Sequence, residues 1–508
     1  MSIDAALLIA RSGLLHTQRA LSNAADNVAN AESEGYTRKR IVGEAVSSGG
    51  QGMGVRSLGP MREVDAALVN EMNKRKSELS AAELRDSVLA RIDEAHGDPA
   101  KSEGLGDLVG KLRSSFVTLR ADPAQVVQQQ AVVLKAGQNL VDRFNDLSRI
   151  VGEARQSAHD GVVTELKLIN STLREIASLT RSVVERTGAG MPTADIEDQR
   201  DIALARLSEI IAFKVVRQEN GGLILLGTGG VTFPLSETAD AFSVASAVIA
   251  PQVYYGGGGT IPPIMMAGTD VTPGMLGGRL GEYLRLRDQT LPRYQAELDI
   301  AAAEVADRFE EVGLRLFIDP NGIPPDFSGP DPNLPYVGGP QIGFANRIKL
   351  SSVVSSDVRL LRDGTHATPG FTPNPVGGPA GFTTLIDRIL NHSFGATDPL
   401  GANWGGFRTT GLGPDGSLSS PFGAPQTIED YGIIVTAAHT GDSAAASSAV
   451  GIAEQLSDGL EARFTRQSRV NVDSEMASLV QLQNAYAANA RVMSTAQTMW
   501  DTLFGSVR

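Results

Sequence analysis

The chain has 508 residues and a mass of 53.5 kDa, which is more than one hydrophobic core normally organises, so several domains are expected. It contains no cysteine, which excludes disulfide scaffolds, thiolate metal sites and cysteine nucleophiles. The formal net charge of −13 disfavours general nucleic-acid binding, because an acidic surface repels phosphate.

An amphipathic helix is the first element that the sequence predicts. Large apolar residues recur every seven positions at Leu7, Leu14, Leu21 and Val28. A second register also has a spacing of seven and lies three positions after the first. It holds Ile3, Ala10, Thr17, Ala24 and Ala31. Together the two registers form the seam by which helices pair in coiled coils.

The same helix carries a row of amides. Asn23, Asn27 and Asn30 are spaced i, i+4 and i+7 and therefore share one face. Such a row is either a solvated face or, against identical neighbours, a source of hydrogen bonds that set the register between subunits. Gly35 is expected to end the helix, because glycine enters the left-handed region at little cost.

No targeting or membrane segment is predicted. Asp4 stands where a secretory signal carries positive charge, and Arg11 interrupts the apolar run far short of a membrane span. By these signals alone, the chain is expected to be cytosolic.

The next part of the chain changes from helix to strand. A helix packed on one stripe is predicted over 61–96, and a long proline-free helical pattern extends over 124–191. A β-hairpin is predicted over 213–226, because Asn220-Gly221 suits the positive φ angles of a tight turn. The chain therefore leaves a helical body for a β excursion.

The chain then returns to helix over 275–317, with a break or first turn at Pro292. Residues 318–430 hold 15 prolines and 18 glycines, which forbid long helices there. Short strands and turns, or partial disorder, are the structures expected in this stretch. After Pro425 the chain has no proline and returns to a helical pattern.

The C-terminal helix carries a seam that mirrors the N-terminal one. One register holds Val472, Leu479, Tyr486, Met493 and Trp500. The other holds Met476, Ala490 and Phe504, with Gln483 and Gln497 interrupting it. Because the two seams have similar lengths, we expect the chain ends to pair. Apolar burial on one seam does not offset the entropy of ordering its helix, so we also expect both arms to be loose in the free subunit.

These patterns predict an α+β fold with nested domains. The N- and C-terminal helices pair in a coiled-coil-like inner domain of residues 1–60 with 471–508. A helical bundle body takes 61–215 with 270–318 and 426–470. An outer domain rich in Gly, Pro and β structure is inserted in the middle and takes 216–269 and 319–425.

An enzyme is not indicated, and we predict no catalytic, cofactor or metal site. The six histidines show no metal-binding spacing and are interpreted as isolated surface or packing residues. The Gly-rich stretches 227–230 and 255–259 are expected to be loops rather than phosphate cradles. A carbohydrate-binding or adhesin role of the middle domain would need exposed aromatics. Core positions are favoured instead for Tyr336, Phe371, Trp404 and Phe407.

The termini resemble a known family. The run Asn23-Ala-Ala-Asp-Asn27-Val-Ala-Asn30, followed by Ser33-Glu-Gly35-Tyr36-Thr-Arg38, resembles the N-terminal signature of the bacterial flagellar axial proteins, the rod, hook and hook-associated subunits. Residues 470–492 and 499–503 resemble the C-terminus of one hook-associated member. Internal blocks resemble the same member at 195–201, 277–295 and 346–364, and the resemblance does not extend over 365–425.

The resemblance implies a non-enzymatic structural subunit at the junction between hook and filament. It also implies unfolded export through the flagellar type III apparatus with an uncleaved signal, so the expected location becomes the secreted flagellum after a transient cytoplasmic stage. The implied partners are copies of the chain in a ring or helical layer, the hook protein, hook-associated protein 3 and an export chaperone. Neither nucleic acid nor a membrane is implied. The alternative within the family is another axial subunit, of the hook or hook-associated protein 3 type.

By this resemblance, assembly is expected to rest on the two terminal seams. The N-terminal residues are Ile3, Leu7, Leu14, Leu21, Asn23, Asn27, Val28, Asn30, Gly35, Tyr36 and Arg38. The C-terminal residues, where the chaperone is also expected to bind, are Val472, Met476, Leu479, Tyr486, Met493, Trp500, Leu503 and Phe504.

Overall fold

The computed structural model of the chain describes residues 3–48, 51–98, 101–124, 126–325, 336 and 338–506. The fold is mixed, with 59% helix and short strands. The helices are α1 (Ile3–Ala29), α2 (Ala66–His96), α3 (Leu105–Ala121), α4 (Val126–Gly188), α5 (Ala194–Ile210), α6 (Gly278–Arg285), α7 (Leu291–Glu311), α8 (Ser352–Ser356), α9 (Leu360–Asp363), α10 (Thr384–Arg388), α11 (Ile428–Ser468) and α12 (Val472–Ser506).

The strands form small antiparallel sheets. They are β1 (Lys39–Ser48) with β2 (Gln51–Arg62), β3 (Phe213–Arg217) with β4 (Leu223–Gly227) and β5 (Thr232–Phe233), β6 (Met265–Met266) with β7 (Thr269–Asp270), β8 (Phe317–Ile318) with β9 (Lys349–Leu350), and β10 (Thr410–Leu412) with β11 (Leu418–Ser419).

The two terminal helices contact each other. Gly13 of α1 lies beside Asn489 of α12, and Arg38, beyond the end of α1, reaches Glu475 in the first turn of α12, so the helices run antiparallel. The prediction of a helical domain over 1–60 with 471–508 missed the hairpin of β1 and β2, which packs against α1. Several glycines and β-branched residues there make a helix costly and a strand favourable. A coiled-coil geometry for the terminal pair stays a prediction.

A second helix pair, α2 with α11, extends from the terminal region to the body. Asp65 caps α2 by accepting hydrogen bonds from the backbone N–H groups of Ala67 and Leu68. The helix predicted to start at residue 61 therefore starts at Ala66, since the residues before Asp65 complete β2.

The long helix α4 links the two hydrophobic cores of the body. It has 63 residues and, at a rise of about 1.5 Å per residue, a length of about 95 Å. Its first half, including Val133 and Leu147, packs with α3 and α7 in the larger core. Its second half, including Val162 and Ile176, packs with α5, β3 and β4 in the smaller core.

Two predictions for the middle of the chain are confirmed. The predicted hairpin forms between β3 and β4, and Gly221 in its turn has φ +86°. Pro292 occupies the first turn of α7, after a π-helical turn at Leu286–Thr290. Most residues of α7 are buried, so this helix is the centre of the larger core.

The segment after β8 departs from the prediction of a β-rich domain. Over the described residues between 319 and 425, the strands have two or three residues each, and the helices have at most five. The expected exclusion of long helices is confirmed, whereas the description as β-rich is wrong. Phe344, Leu361 and Ile389 from this segment join the larger core beside α7. Apolar contacts with the helical body, rather than a sheet, therefore organise it. The division into body and outer domain stays a prediction.

Candidate assembly site at the chain ends

The seam of α1 is turned towards the rest of the chain. Ala10, Thr17 and Ala24 are buried, and Leu7, Leu14, Leu21 and Val28 are half-buried. A Cβ atom placed on Gly13 would lie 3.1 Å from the side chain of Asn489, so α12 approaches closely here. Ile3 begins the helix, but its side chain lies outside the described residues. Both predicted registers of α1 are used inside the subunit.

The seam of α12 is shifted from its predicted position. In the first register, Leu479, Met493 and Trp500 are half-buried as predicted. The prediction is wrong for Val472 and Tyr486 of the same register, which are both 43% exposed because they lie away from α1. The predicted second register is wrong for Met476 and Phe504, which are 51% and 64% exposed. The observed second register lies one position earlier, at Glu475, Leu482, Asn489 and Ala496. Gln483 and Gln497 are the sequence signal of this shift, since each places an amide at a predicted seam position.

The remaining surface of α12 exposes many large apolar side chains. We define this open surface as Val472, Met476, Val480, Tyr486, Val492, Met499, Leu503 and Phe504, which are between 43% and 64% exposed. Leu8 and Leu15 of α1 are exposed to a similar degree. Large apolar side chains exposed along one helix are typical of protein contact sites. Among the described helices, none is long and apolar enough to cross a membrane.

The amides of Asn23 and Asn27 hold the backbone of Lys39. The Nδ2 atoms of both residues donate to the Lys39 carbonyl, at 2.7 Å and 2.9 Å. The Oδ1 atom of Asn27 accepts from the Lys39 N–H and from the Tyr36 hydroxyl. Asn30 instead donates to the Asp26 carbonyl of its own helix. The sequence offered a solvated face or hydrogen bonds between subunits for these amides. Both interpretations are wrong for Asn23 and Asn27, because their amides form hydrogen bonds within the subunit.

Gly35 is needed for a close approach rather than for ending the helix. The helix α1 ends at Ala29, so the predicted stop at Gly35 is wrong. Gly35 has φ +70°, and a Cβ atom there would lie 2.4 Å from the side chain of Ile202 in α5. Only glycine fits both the backbone conformation and the space.

A buried charge cluster fixes the loop after Gly35 to α5. We define it as Thr37, Lys39, Arg62, Asp195, Asp198 and Asp201. The Thr37 hydroxyl donates to Asp198 at 2.6 Å, and Arg62 Nε lies 2.8 Å from the same carboxylate. Lys39 Nζ lies 3.2 Å from Asp198 and also pairs with Asp195. Two of the segments that carried the family resemblance, 23–38 and 195–201, therefore touch.

Electrostatics in this cluster depend on complete pairing. Burial raises the pKa of the Asp198 carboxyl, and Arg62, Thr37 and Lys39 oppose that effect. Burial acts to lower the pKa of Arg62, but Asp201 and Asp198 outweigh it and raise that pKa. Removing the Asp198 carboxylate would take away the buried partner that Arg62 and Lys39 share, which is costly. The sequence resemblance covered Thr37, Asp195, Asp198 and Asp201 but neither Lys39 nor Arg62. Sequence reasoning could not pair these residues, because the partners are more than a hundred residues apart.

Arg38 connects the same loop to the C-terminal helices. Its backbone N–H donates to the carbonyl of Ser468, the last residue of α11, at 2.8 Å. Its Nε donates to Glu475 of α12 at 2.6 Å, and its Nη1 pairs with Glu63 at 3.1 Å. The side chain of Glu475 is only 4% exposed. The corner between α11 and α12 is thus held by a residue from the N-terminal part of the chain.

Two histidines are not isolated, contrary to the sequence interpretation. His96 of α2 and His439 of α11 are buried, and their Nε2 and Nδ1 atoms lie 2.8 Å apart. His439 also lies 2.8 Å from the Glu297 carboxylate of α7. Within the described residues, no group of three or more His, Asp or Glu side chains is arranged to hold a metal ion.

The aromatic residues of the middle segment occupy core positions, as predicted. Tyr336, Phe371 and Phe407 are buried. Trp404 is half-buried, and its Nε1 donates to the His392 carbonyl at 2.8 Å. These four side chains therefore do not form an exposed aromatic platform for a sugar.

Two family models match the chain. A model described as "Flagellar hook-associated protein FlgK helical domain" matches residues 89–315, from the end of α2 to the loop after α7. A model described as "Flagellar basal body rod FlgEFG protein C-terminal" matches residues 462–505, which cover the end of α11 and nearly all of α12. Together the two matches cover more than half of the 508 residues.

Curated relatives carry one name, flagellar hook-associated protein 1. The Salmonella typhimurium protein is 28% identical over 59% of this chain and 55% of its own length, so the match spans about half of that relative. The Escherichia coli K12 protein is 25% identical over 97% of this chain and 98% of its own length. A solved structure of the flagellar hook junction protein FlgK from Burkholderia pseudomallei is 22% identical over 50% of this chain and 45% of that chain. Its TM-score of 0.39 is too low for an argument about fold.

Proposed function

Because the chain belongs to the flagellar hook-associated protein 1 family, a family of structural proteins rather than enzymes, we propose that it is a structural subunit of the junction between hook and filament. The terminal helices are the part that assembles, and the body and middle segment lie outside them. In this proposal, the flagellar type III apparatus exports the chain, and identical copies then assemble into a ring or helical layer.

The observation that carries the proposal is the open surface of α12. One chain covers the seam between α1 and α12 but leaves eight large apolar side chains between 43% and 64% exposed. Such a surface gains free energy when another protein covers it, at about 25 cal/mol per Å² removed from water. Neighbouring copies supply that cover in a closed ring or a helical layer.

The proposed partners follow from the same surface. Before export, a chaperone bound to α12 would shield the open surface from aggregation. After export, the hook protein would lie on one side of the layer and hook-associated protein 3 on the other. The absence of cysteine supports passage as an unfolded chain, since no premature cross-link forms.

Deleting residues 472–508 tests the role of the C-terminal helix. Cells with the shortened chain are expected to be non-motile and to carry hooks without filaments, with filament subunits lost to the medium. Normal filaments on these cells would contradict the proposal. Electron microscopy of a strain that lacks the protein separates the alternatives, because a hook-type subunit would leave cells without hooks.

A single charge on the open surface gives a sharper test. Met476→Asp is expected to leave the free subunit folded, because Met476 is 51% exposed, and to block incorporation. Gln481→Asp, on an exposed polar position of the same helix, is the matched control and is expected to incorporate normally. If both variants assemble equally well, the open surface is not the contact between copies.

A further inference from the structure

A line of hydrogen bonds connects three helices of the body, away from the assembly site. His96 of α2 meets His439 of α11 at 2.8 Å, and His439 meets Glu297 of α7 at 2.8 Å. The three residues are between 0% and 2% exposed. Ser420 donates to the other oxygen of Glu297 at 2.7 Å, and the Tyr294 ring stacks on His439 with centroids 3.6 Å apart.

The proton positions along this line are set by the carboxylate. Because the carboxylate of Glu297 can only accept, His439 Nε2 carries a proton. When the ring of His439 holds this single proton, its Nδ1 is an acceptor. His96 Nε2 therefore donates to His439, which leaves His96 Nδ1 as a bare lone pair. Buried and without a hydrogen-bond partner, this atom is the only site on the two rings that is free to take a further proton.

An added proton has no good place in this arrangement. On His96 it creates an N–H group at Nδ1 with no acceptor. If the Nε2 proton then moves to His439, the charge lies beside Glu297, but the unpaired N–H group remains on His96. An unsatisfied buried donor costs about 1–3 kcal/mol.

The charged groups around the line give His96 no acceptor. On α4, Arg143 donates to the carbonyl of Ala95 and adds positive charge. On α11, Asp442 is engaged by Arg293 and Tyr294 of α7. On α2, Asp93 accepts from the Thr440 hydroxyl. Between α2 and α3, Glu103 accepts from the backbone N–H of Asp98. Burial lowers the pKa of His96 well below its ordinary value, and His439 and Arg143 lower it further.

We propose that His96, His439 and Glu297 form an acid-sensitive clasp that holds α2 and α11 against α7. The clasp is closed while both rings are neutral and is weakened when a proton enters. Acid then loosens the contact between the α2–α11 pair and the core helix α7. This inference concerns the body and does not depend on the proposed place in the flagellum.

Urea unfolding of the full chain at pH 7.5 and pH 5.5 tests the clasp. Below about pH 6.5 the unfolded chain binds a proton at residue 96 that the folded chain does not, so the free energy of unfolding falls as pH falls. If folded His96 stays neutral, the unfolding equilibrium constant rises about tenfold over this interval through His96. His96→Gln keeps a hydrogen-bond donor towards His439 but has no titrating ring. The tenfold rise in the unfolding equilibrium constant is therefore expected to be absent in this variant.

One comparison isolates the effect. Burial raises the pKa of Asp299 to about 6, so its contribution to stability falls as pH rises from about 4 to 6, opposite in sign to that of His96. The difference between wild type and His96→Gln removes this common contribution. Equal pH dependence in wild type and His96→Gln would overturn the proposal.

Nitrogen NMR of the histidine rings in the wild-type chain gives a second test, even if His96→Gln fails to fold. His96 is expected to keep Nδ1 unprotonated down to pH 5.5 in the folded chain. Hydrogen-exchange protection at 428–446 is expected to fall on acidification. A His96 ring that titrates at its ordinary pKa of about 6.5 in the folded chain, with unchanged protection, would show that no clasp exists.

Discussion

The body and the terminal helix pair are both helical, but they bury their apolar residues differently. In the body, Phe309 of α7 is fully buried and packs against the rings of Phe116, Phe317 and Phe394. In the terminal pair, Phe504 of α12 is 64% exposed. Since apolar burial drives folding, the body is complete within one chain, whereas the terminal pair retains apolar surface for further contacts. Similar helical patterns therefore support folding in the body, and in the terminal pair we propose that they support assembly.

The largest expected contrast is in amide protection of the free subunit. We expect amides in α7 to exchange only through global unfolding, and amides in α12 to exchange at least about a hundredfold faster through local opening. Hydrogen exchange followed by mass spectrometry measures both helices in one sample. Equal protection would contradict the expectation that the terminal arms are loose before assembly.

Replacing the same residue type in both regions tests the comparison energetically. Phe309→Ala is expected to lower the free energy of unfolding by about 3–5 kcal/mol, because it leaves a cavity among three aromatic rings. Phe504→Ala is the matched control and is expected to change it by about 0.5 kcal/mol or less. Urea titrations measure both variants. A large loss at Phe504 would show that α12 has a buried partner within the free subunit.

The charge cluster joins the two regions. Disrupting it is expected to lower the free energy of unfolding by about as much as Phe309→Ala does. Asp198→Asn leaves Arg62 and Lys39 facing a neutral group in a buried site, and a loss of about 3 kcal/mol is expected. Asp195→Asn, whose side chain is 82% exposed, is expected to cost about 1 kcal/mol or less. Faster amide hydrogen exchange in β1 and β2 of Asp198→Asn, but not of Asp195→Asn, would show that the destabilisation lies in this hairpin. Equal losses in both variants would contradict the cluster's role.

The smallest contrast lies within the asparagine row. Asn27→Ala removes an acceptor for two donors and a donor to the Lys39 carbonyl, and a loss of about 1–3 kcal/mol is expected. Asn30→Ala removes a hydrogen bond at an exposed site and is expected to cost about 0.5 kcal/mol or less. Thermal unfolding compares the two. If they are equivalent, Asn27 does not position the loop after α1.

Much of the local structure was predictable from the sequence. Proline and glycine act on the backbone of their own residue and its neighbours. They correctly indicated the turn at Asn220-Gly221, the first turn of α7 at Pro292 and the lack of long helices in the described residues between 319 and 425. The heptad spacing indicated that the chain ends meet. The β-rich prediction for 319–425 failed because abundant glycine and proline exclude helix without specifying a sheet.

The candidate site could be predicted only in part. The seam residues of α1 followed from spacing, as did Leu479, Met493 and Trp500 of α12. The exposed Val472 and Tyr486 and the second register of α12 did not. Spacing cannot separate two registers that differ by one position. Met476 is the apolar residue and was therefore predicted to be buried, but Glu475 beside it is the buried one, with its carboxylate paired to Arg38. The partner is in a distant part of the sequence.

The sequence by itself determined which segments are helical, where the chain turns and that its two ends carry matching seams, because these properties depend on neighbouring residues. The tertiary structure decided which polar groups are paired: Asn27 with the backbone of Lys39, Asp198 with Arg62, and His96 with His439. Burial and pairing depend on contacts between residues far apart in the chain, and one sequence does not specify those contacts through local pattern.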